Sequence, residues 1–190
     1  MKRFFYILLL LSVTISVSAQ YRDVKLPEKP LLTKYKNYEK EDKGFWCAIE
    51  TEGGSSVMVH STNMQYVNIS FIGGYRLSEY FRFGLGLGGR MYVNNADVRD
   101  TDNKFGIPLF ANIRGNFISA YERDGVPCWS FNIGGITNDG FFASPTVGYS
   151  FGGLRNNFLI GINYTITTFR NSDKDNVVYS YFGLKLGYEF

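Results

Sequence analysis

Several kinds of residue are scarce in this 190-residue chain, and each scarcity excludes something. It has two cysteines, Cys47 and Cys128, and one histidine, His60. No C-x-x-C pair or zinc-ligand spacing can be assembled from so few, so no metal site is expected. Charged residues make up only 19% of the chain, and the net charge is +3. That balance is too weak to imply a nucleic-acid partner, and no Lys/Arg cluster accompanies a stacking platform. Paired catalytic carboxylates do not stand out. Asp97, Asp100 and Asp102 make an acidic loop, at best a weak cation site. Past the N-terminal leader, no apolar run reaches the ~20 residues a spanning helix needs. A helical membrane protein is excluded.

What the chain does have is aromatics and glycine: 17 Phe, 14 Tyr and 21 Gly. That mixture suits β-structure, where rings pack on a pleated surface and glycine relieves crowding. The length allows one domain with a short appendage. The start, "MKRFFYILLLLSVTISVSAQ", has a basic end (Lys2, Arg3), an apolar run and small residues up to Ala19. It reads as a secretory signal over 1–19, cut before Gln20, since the apolar run is too short for an anchor. Its loss lowers the net charge from +3 to +1. Residues 20–43 carry Pro27 and Pro30 without apolar periodicity and are expected to be an irregular, periplasmic N-terminal segment. Export makes a disulfide chemically possible. A bridge needs Cα atoms within ~7 Å, and Cys47 and Cys128 lie near the starts of well-separated strands. Two unlinked thiols, buried or lipid-facing, are favoured.

From Gly44 onward the text alternates with period two. In 81–93, Phe81, Phe83, Leu85, Leu87, Met91 and Val93 stand against Arg82, three glycines, Arg90 and Tyr92. The same pattern recurs over 67–77, 105–117, 141–151, 158–167 and 181–190, and more weakly over 45–52 and 128–135. These runs predict eight strands. Most are ten residues or longer, against a mode of ~5–6 in globular proteins, and a tilted strand crosses a bilayer in ~9–11. Connections 77–80 and 152–157 are brief, whereas 53–63, 94–104 and 170–177 are longer and polar. Short turns on one side and longer loops on the other are the habit of outer-membrane barrels. Two connections break the rule: 118–126 is long on the short side, and 137–140 is tight on the long side.

One stretch offers a rival reading. Gly84-Leu85-Gly86-Leu87-Gly88-Gly89 fits the dinucleotide-binding pattern G-x-G-x-x-G. That motif works only when a helix N-terminus follows to receive the pyrophosphate. Residues 90–95 carry no helical period, and no βαβ unit surrounds them. The glycines therefore read as small residues on one strand face, shared with Arg82 and Arg90, and no cofactor is expected.

Alternation alone does not separate a soluble barrel from a membrane barrel, whose apolar face points outward. Strand length, the leader, and aromatics near strand ends (Phe81, Phe117, Phe141, Phe151, Phe158) favour the membrane. The polar faces then line the lumen. They hold Glu50, Arg76, Arg82, Arg90, Arg114, Lys185 and Glu189, which are expected to form a charge network. Glu50 on the first strand and Lys185 on the last can meet across the closing seam. Glu189 can pair with Arg76 or Arg82.

The chain stops at "YFGLKLGYEF". This ending, with "KGFWCAIETEGG", "IPLFANIRGNF" and "GFFASPTVGYSF", resembles the small OmpA/OmpX-like outer-membrane β-barrel proteins of Bacteroidota-type bacteria. The resemblance covers 44–190. It implies that Tyr188 and Phe190 form a C-terminal assembly signal read by the barrel-assembly machinery. Where members often carry glycine, five residues before the final aromatic, this chain has Lys185.

The expectation is an all-β, eight-stranded antiparallel up-and-down transmembrane β-barrel over 44–190, in the outer membrane of a Gram-negative bacterium. Its expected partners are outer-membrane lipid, the assembly machinery, and an extracellular ligand met through the long loops. Its expected role is structural or interactive, around a largely filled polar lumen. A small pore for ions or solutes is the alternative. A lipid A-modifying enzyme comes behind it, with His60 near Ser55, Ser56 and Ser61 as its only foothold. A loop histidine without a fixed partner is no catalytic base, so no catalytic residue is assigned.

Overall fold

A computed structural model describes residues 43–58, 64–93, 104–120, 123–152, 155–170 and 176–190. The leader, residues 20–42 and the loop residues His60, Ser61, Asp97, Asp100 and Asp102 lie outside these. The described chain is all β: β1 (Gly44–Met58), β2 (Gln65–Ser78), β3 (Phe81–Tyr92), β4 (Phe105–Gly106), β5 (Pro108–Asn116), β6 (Gly125–Ile136), β7 (Gly140–Phe151), β8 (Asn157–Arg170) and β9 (Asn176–Glu189). β4 and β5 both pair with β3 and form one barrel strand, interrupted at Ile107. The barrel therefore has eight strands.

Each strand pairs antiparallel with its neighbour in sequence, and β1 pairs with β9 to close the sheet. The seam is continuous from Ala48↔Glu189 to Ser56↔Tyr181, with a register shift before Met58. Closure leaves no open edge, so every strand satisfies its backbone groups on both sides.

Turn chemistry fixes the register at the tight ends. β2 returns as β3 through Glu79 and Tyr80. β6 returns as β7 through Thr137, Asn138 and Asp139; Asn138 has φ 70° and Gly140 φ 153°. Asparagine and glycine tolerate this left-handed region at least cost. The end carrying the β2–β3, β5–β6 and β7–β8 connections also carries the start of β1 and Phe190, whose backbone exchanges two hydrogen bonds with Cys47 at 2.9 Å each.

One expected loop is not a loop. Residues 53–58 continue β1, paired to β2 through Ser55 and to β9 through Met58. Gly53-Gly54-Ser55-Ser56 has the composition of a turn but serves packing: a Cβ on Gly54 would meet the Tyr66 ring at 2.8 Å. The connection expected over 170–177 is also shorter, because β8 reaches Arg170 and β9 starts at Asn176.

Burial alternates with the pleat, and its sense is inverted relative to a soluble barrel. Along β3 the exposed residues are Phe81, Phe83, Leu85, Leu87 and Met91, while Arg82, Arg90 and Tyr92 are buried. Leu85 is 71% exposed; Arg90 and Lys185 are 0% exposed. On β8 and β9, Phe158, Ile160, Ile162, Phe182, Leu184 and Leu186 face outward, and Asn163, Thr165, Thr167, Lys185 and Glu189 face inward. Cys128 is buried and Cys47 half-buried; both are free thiols.

Candidate functional site: the filled lumen

Three of the four glycines in the G-x-G-x-x-G stretch, Gly84, Gly86 and Gly88, lie on the inward face with Arg82 and Arg90, whereas Gly89 lies on the outward face beside the Phe105 ring. A Cβ on Gly86 would run into the Phe110 ring; one on Gly84 would meet the Trp46 ring at 3.1 Å. Trp46 and Phe110 belong to an apolar cluster with Ala48, Ile72, Ile136 and Phe142. Sequence periodicity passes over these residues, because an apolar side chain at an inward position looks like a lapse in alternation. The lapse is the signal: Trp46, Ile72, Phe110 and Phe142 all fall on otherwise polar faces.

The charged residues form one connected network. At the short-turn end Glu189 accepts from Arg76, and from Arg82 Nη1 at 2.6 and 2.8 Å. Arg114 Nη1 lies 3.7 Å from the same carboxylate, and its Nη2 lies 2.7 Å from Glu50 Oε1. Lys185 Nζ sits between Glu50 at 3.4 Å and Glu52 at 3.6 Å. Arg90 Nη2 reaches Glu52 Oε1 at 3.2 Å. The structure thus joins all seven charged residues expected in the lumen into a ladder from the short-turn end to the upper half of the barrel.

Glu52 is the member that sequence reasoning missed. It sits two residues after Glu50 on the same face, but the glycines that follow made 52 look like the end of the strand. With Glu52 in place, Lys185 and Arg90 both have carboxylate partners.

Polar neighbours hold these groups in register. Arg114 Nε donates to Asn112 Oδ1 at 2.7 Å, and Asn112 donates to Asn132. Asn68 donates to Glu52 at 3.1 Å. Two arginines also lie over rings: Arg114 4.5 Å from the Trp46 centroid, Arg90 4.2 Å from Tyr66 and 5.1 Å from Phe142. Stacking a guanidinium on a ring in a dry site adds up to about 2 kcal/mol each, and fixes the fork so that its N–H groups point at carboxylates.

The opposite mouth is closed by aromatics. Met64, Tyr66, Tyr92, Phe169, Tyr179 and Tyr181 form a second buried cluster. Tyr66 and Tyr181 meet edge to face at 5.1 Å, and Phe169 and Tyr179 at 5.3 Å. Tyr92 donates to Asp139 Oδ2 at 2.6 Å, which ties the β6–β7 turn down into the mouth. An eight-stranded barrel has an interior just wide enough for side chains to fill, and here rings and ion pairs fill it.

The foothold expected for catalysis lies only partly within the described residues. Ser55 and Ser56 belong to β1, while His60 and Ser61 lie outside the described chain. Tyr188 and Phe190 face outward, their ring centroids 6.2 Å apart. The chain matches no protein-family model and no curated protein. Function must be argued from the barrel itself.

Proposed function

We propose that the protein is an integral outer-membrane β-barrel of the OmpA/OmpX-like kind, with a structural or surface-interaction role and no through-channel. One observation carries this reading: the barrel is oily outside and charged inside. Monomeric soluble proteins rarely expose a contiguous apolar patch beyond a few hundred Å². Here almost every outward position is apolar on each strand. Water would leave that surface unsatisfied, whereas acyl chains match it.

The leader supports export, and the connections 59–64, 93–104 and 171–175 join strands at the end opposite the start of β1 and the end of β9, where they would meet the cell exterior. Their partner would be an extracellular ligand or surface. Outer-membrane lipid would cover the wall. Tyr188 and Phe190, outward at the end of the last strand, suit recognition by the barrel-assembly machinery. The pore alternative draws on the excess of arginine in the lumen, but the Trp46–Phe142 cluster and the aromatic mouth oppose it.

Two measurements on the exported protein test the reading. Extraction from membranes should require detergent; partition into detergent-free buffer would contradict it. Reconstituted in planar bilayers, the protein should give no sustained single-channel steps. Steady conductance would favour the small pore. A third check addresses the enzyme: His60→Ala should leave the lipid A mass profile unchanged.

A further inference from the structure

We propose that one acyl chain of a membrane lipid seats in a groove on the outer wall over β1, in the leaflet beside the 59–64 and 171–175 connections. The inference rests on the reading of that wall as lipid-facing.

The groove arises where small residues run between two rows of large ones. On the outward face of β1, Phe45, Cys47 and Ile49 give way to Thr51, Gly53 and Ser55. Their cross-strand neighbours are bulky. Gly53 lies between Val67 on β2 and Leu184 on β9, and Ser55 lies beside Phe182. Val67, Phe182 and Leu184 are all exposed, so they stand as walls on either side of a low floor. The space between them is a cavity of about 510 Å³, whereas the two inside the short-turn end of the barrel hold about 20 and 10 Å³. Those admit a water or two; the outer groove admits a stretch of chain.

Its dimensions choose the occupant. Walls on β2 and β9 are two strand spacings apart, about 9.6 Å between backbones. A partner helix, ~10–12 Å across with its side chains, does not enter. The floor from Thr51 to Ser55 runs about 14 Å at ~3.4 Å per residue, within one half of a ~30 Å hydrocarbon core. A second copy does not fill the groove either. A two-fold contact sets the same patch against itself, which would place groove against groove and leave the space empty. One extended hydrocarbon chain touches the floor and both walls, and gains dispersion contacts that an unfilled channel forfeits. The groove also opens sideways into the surrounding belt of Leu, Ile and Phe, so a chain reaches it from the bilayer without crossing a polar barrier. Its upper end is polar. Gln65 lines the groove opposite Ser55, at the end nearer the 59–64 connection. An amide N–H₂ there is a donor for the ester or amide carbonyl that joins an acyl chain to its headgroup.

The test uses the exported protein in phosphatidylcholine vesicles that carry a trace of phosphatidylcholine with a photoactivatable diazirine in one acyl chain. After irradiation, labelled peptides are quantified by mass spectrometry. Segments 51–55 and 182–184, which line the groove, should be labelled severalfold more than 83–87, whose Phe83, Leu85 and Leu87 also face outward on β3. Gly53→Phe, which puts a ring on the floor, should bring that excess down to the β3 level and leave β3 labelling unchanged. Leu184→Ala lowers one wall without adding bulk; it should reduce the excess as well, and it serves if Gly53→Phe does not fold. Even labelling of the whole wall, or an excess that a folded variant leaves intact, would overturn the groove while leaving the lipid-facing wall in place. Weaker labelling of β1 and β9 than of β3 would mean that a second copy covers the groove, and would overturn it too. No labelling on any strand would instead contradict the lipid-facing wall, and the groove with it.

Discussion

Gly86 and Phe110 form a matched pair: the ring occupies the volume that a Cβ on β3 would take. Overpacking a filled interior costs ~1–3 kcal/mol, so Gly86→Ala should lower unfolding free energy by about that amount. Phe110→Leu in the same chain should recover part of it, and a double-mutant cycle in detergent or lipid measures the coupling. Additive effects would mean that the two residues do not share space. The ion pairs make a prediction with a sign. Glu189 is shared by Arg76, Arg82 and Arg114, whereas each carboxylate beside Lys185 also has an arginine partner, so losing the carboxylate should cost more than losing the lysine. Glu189→Gln takes the carboxylate from Arg82 and Arg76 while Arg114 keeps Glu50, and should cost ~3–5 kcal/mol, the usual cost of breaking a buried pair from one side. Lys185→Met leaves Glu50 with Arg114 and Glu52 with Arg90, and should cost clearly less. Equal losses in urea unfolding would contradict this difference in sharing.

Most of each strand was legible because period-two alternation is a local property: Phe81 to Val93 can be read without any neighbour. Strand ends were less so. Gly53-Gly54-Ser55-Ser56 reads as a turn, yet β1 runs through it because Tyr66, on the next strand, needs the room above Gly54. That reason lies across the sheet, beyond the reach of a local pattern. Glu52 was missed for the same cause, and with it the second carboxylate beside Lys185. The Glu50–Lys185 pairing could be anticipated, since closing an up-and-down barrel must bring the first and last strands together. The aromatic mouth could not, since Met64, Tyr92, Phe169 and Tyr179 come from four strand ends whose relative heights depend on register. This element-level packing has its own test. Gly54→Val, which drives a branched side chain at the Tyr66 ring, should destabilise the barrel by more than Gly53→Val, whose Cβ would meet only the Tyr66 carbonyl oxygen at 3.7 Å. Equal losses would mean that Gly54 is not kept for packing.

For the molecule as a whole, the sidedness of the wall decides the reading. A ladder of ion pairs runs up the centre, aromatics close one mouth, and the outer surface is a belt of Phe, Leu, Ile and Val. In water, Leu85, 71% exposed at the middle of β3, could become arginine with an effect within about 0.5 kcal/mol, as at most surface sites. In a bilayer the same position lies near the midplane, where arginine on the lipid face costs ~2–4 kcal/mol. Reversible urea unfolding of wild type and Leu85→Arg in phosphatidylcholine vesicles therefore tests the central claim most directly. The account predicts a loss of about 2–4 kcal/mol. A variant as stable as wild type, in a protein that also folds without lipid, would contradict it.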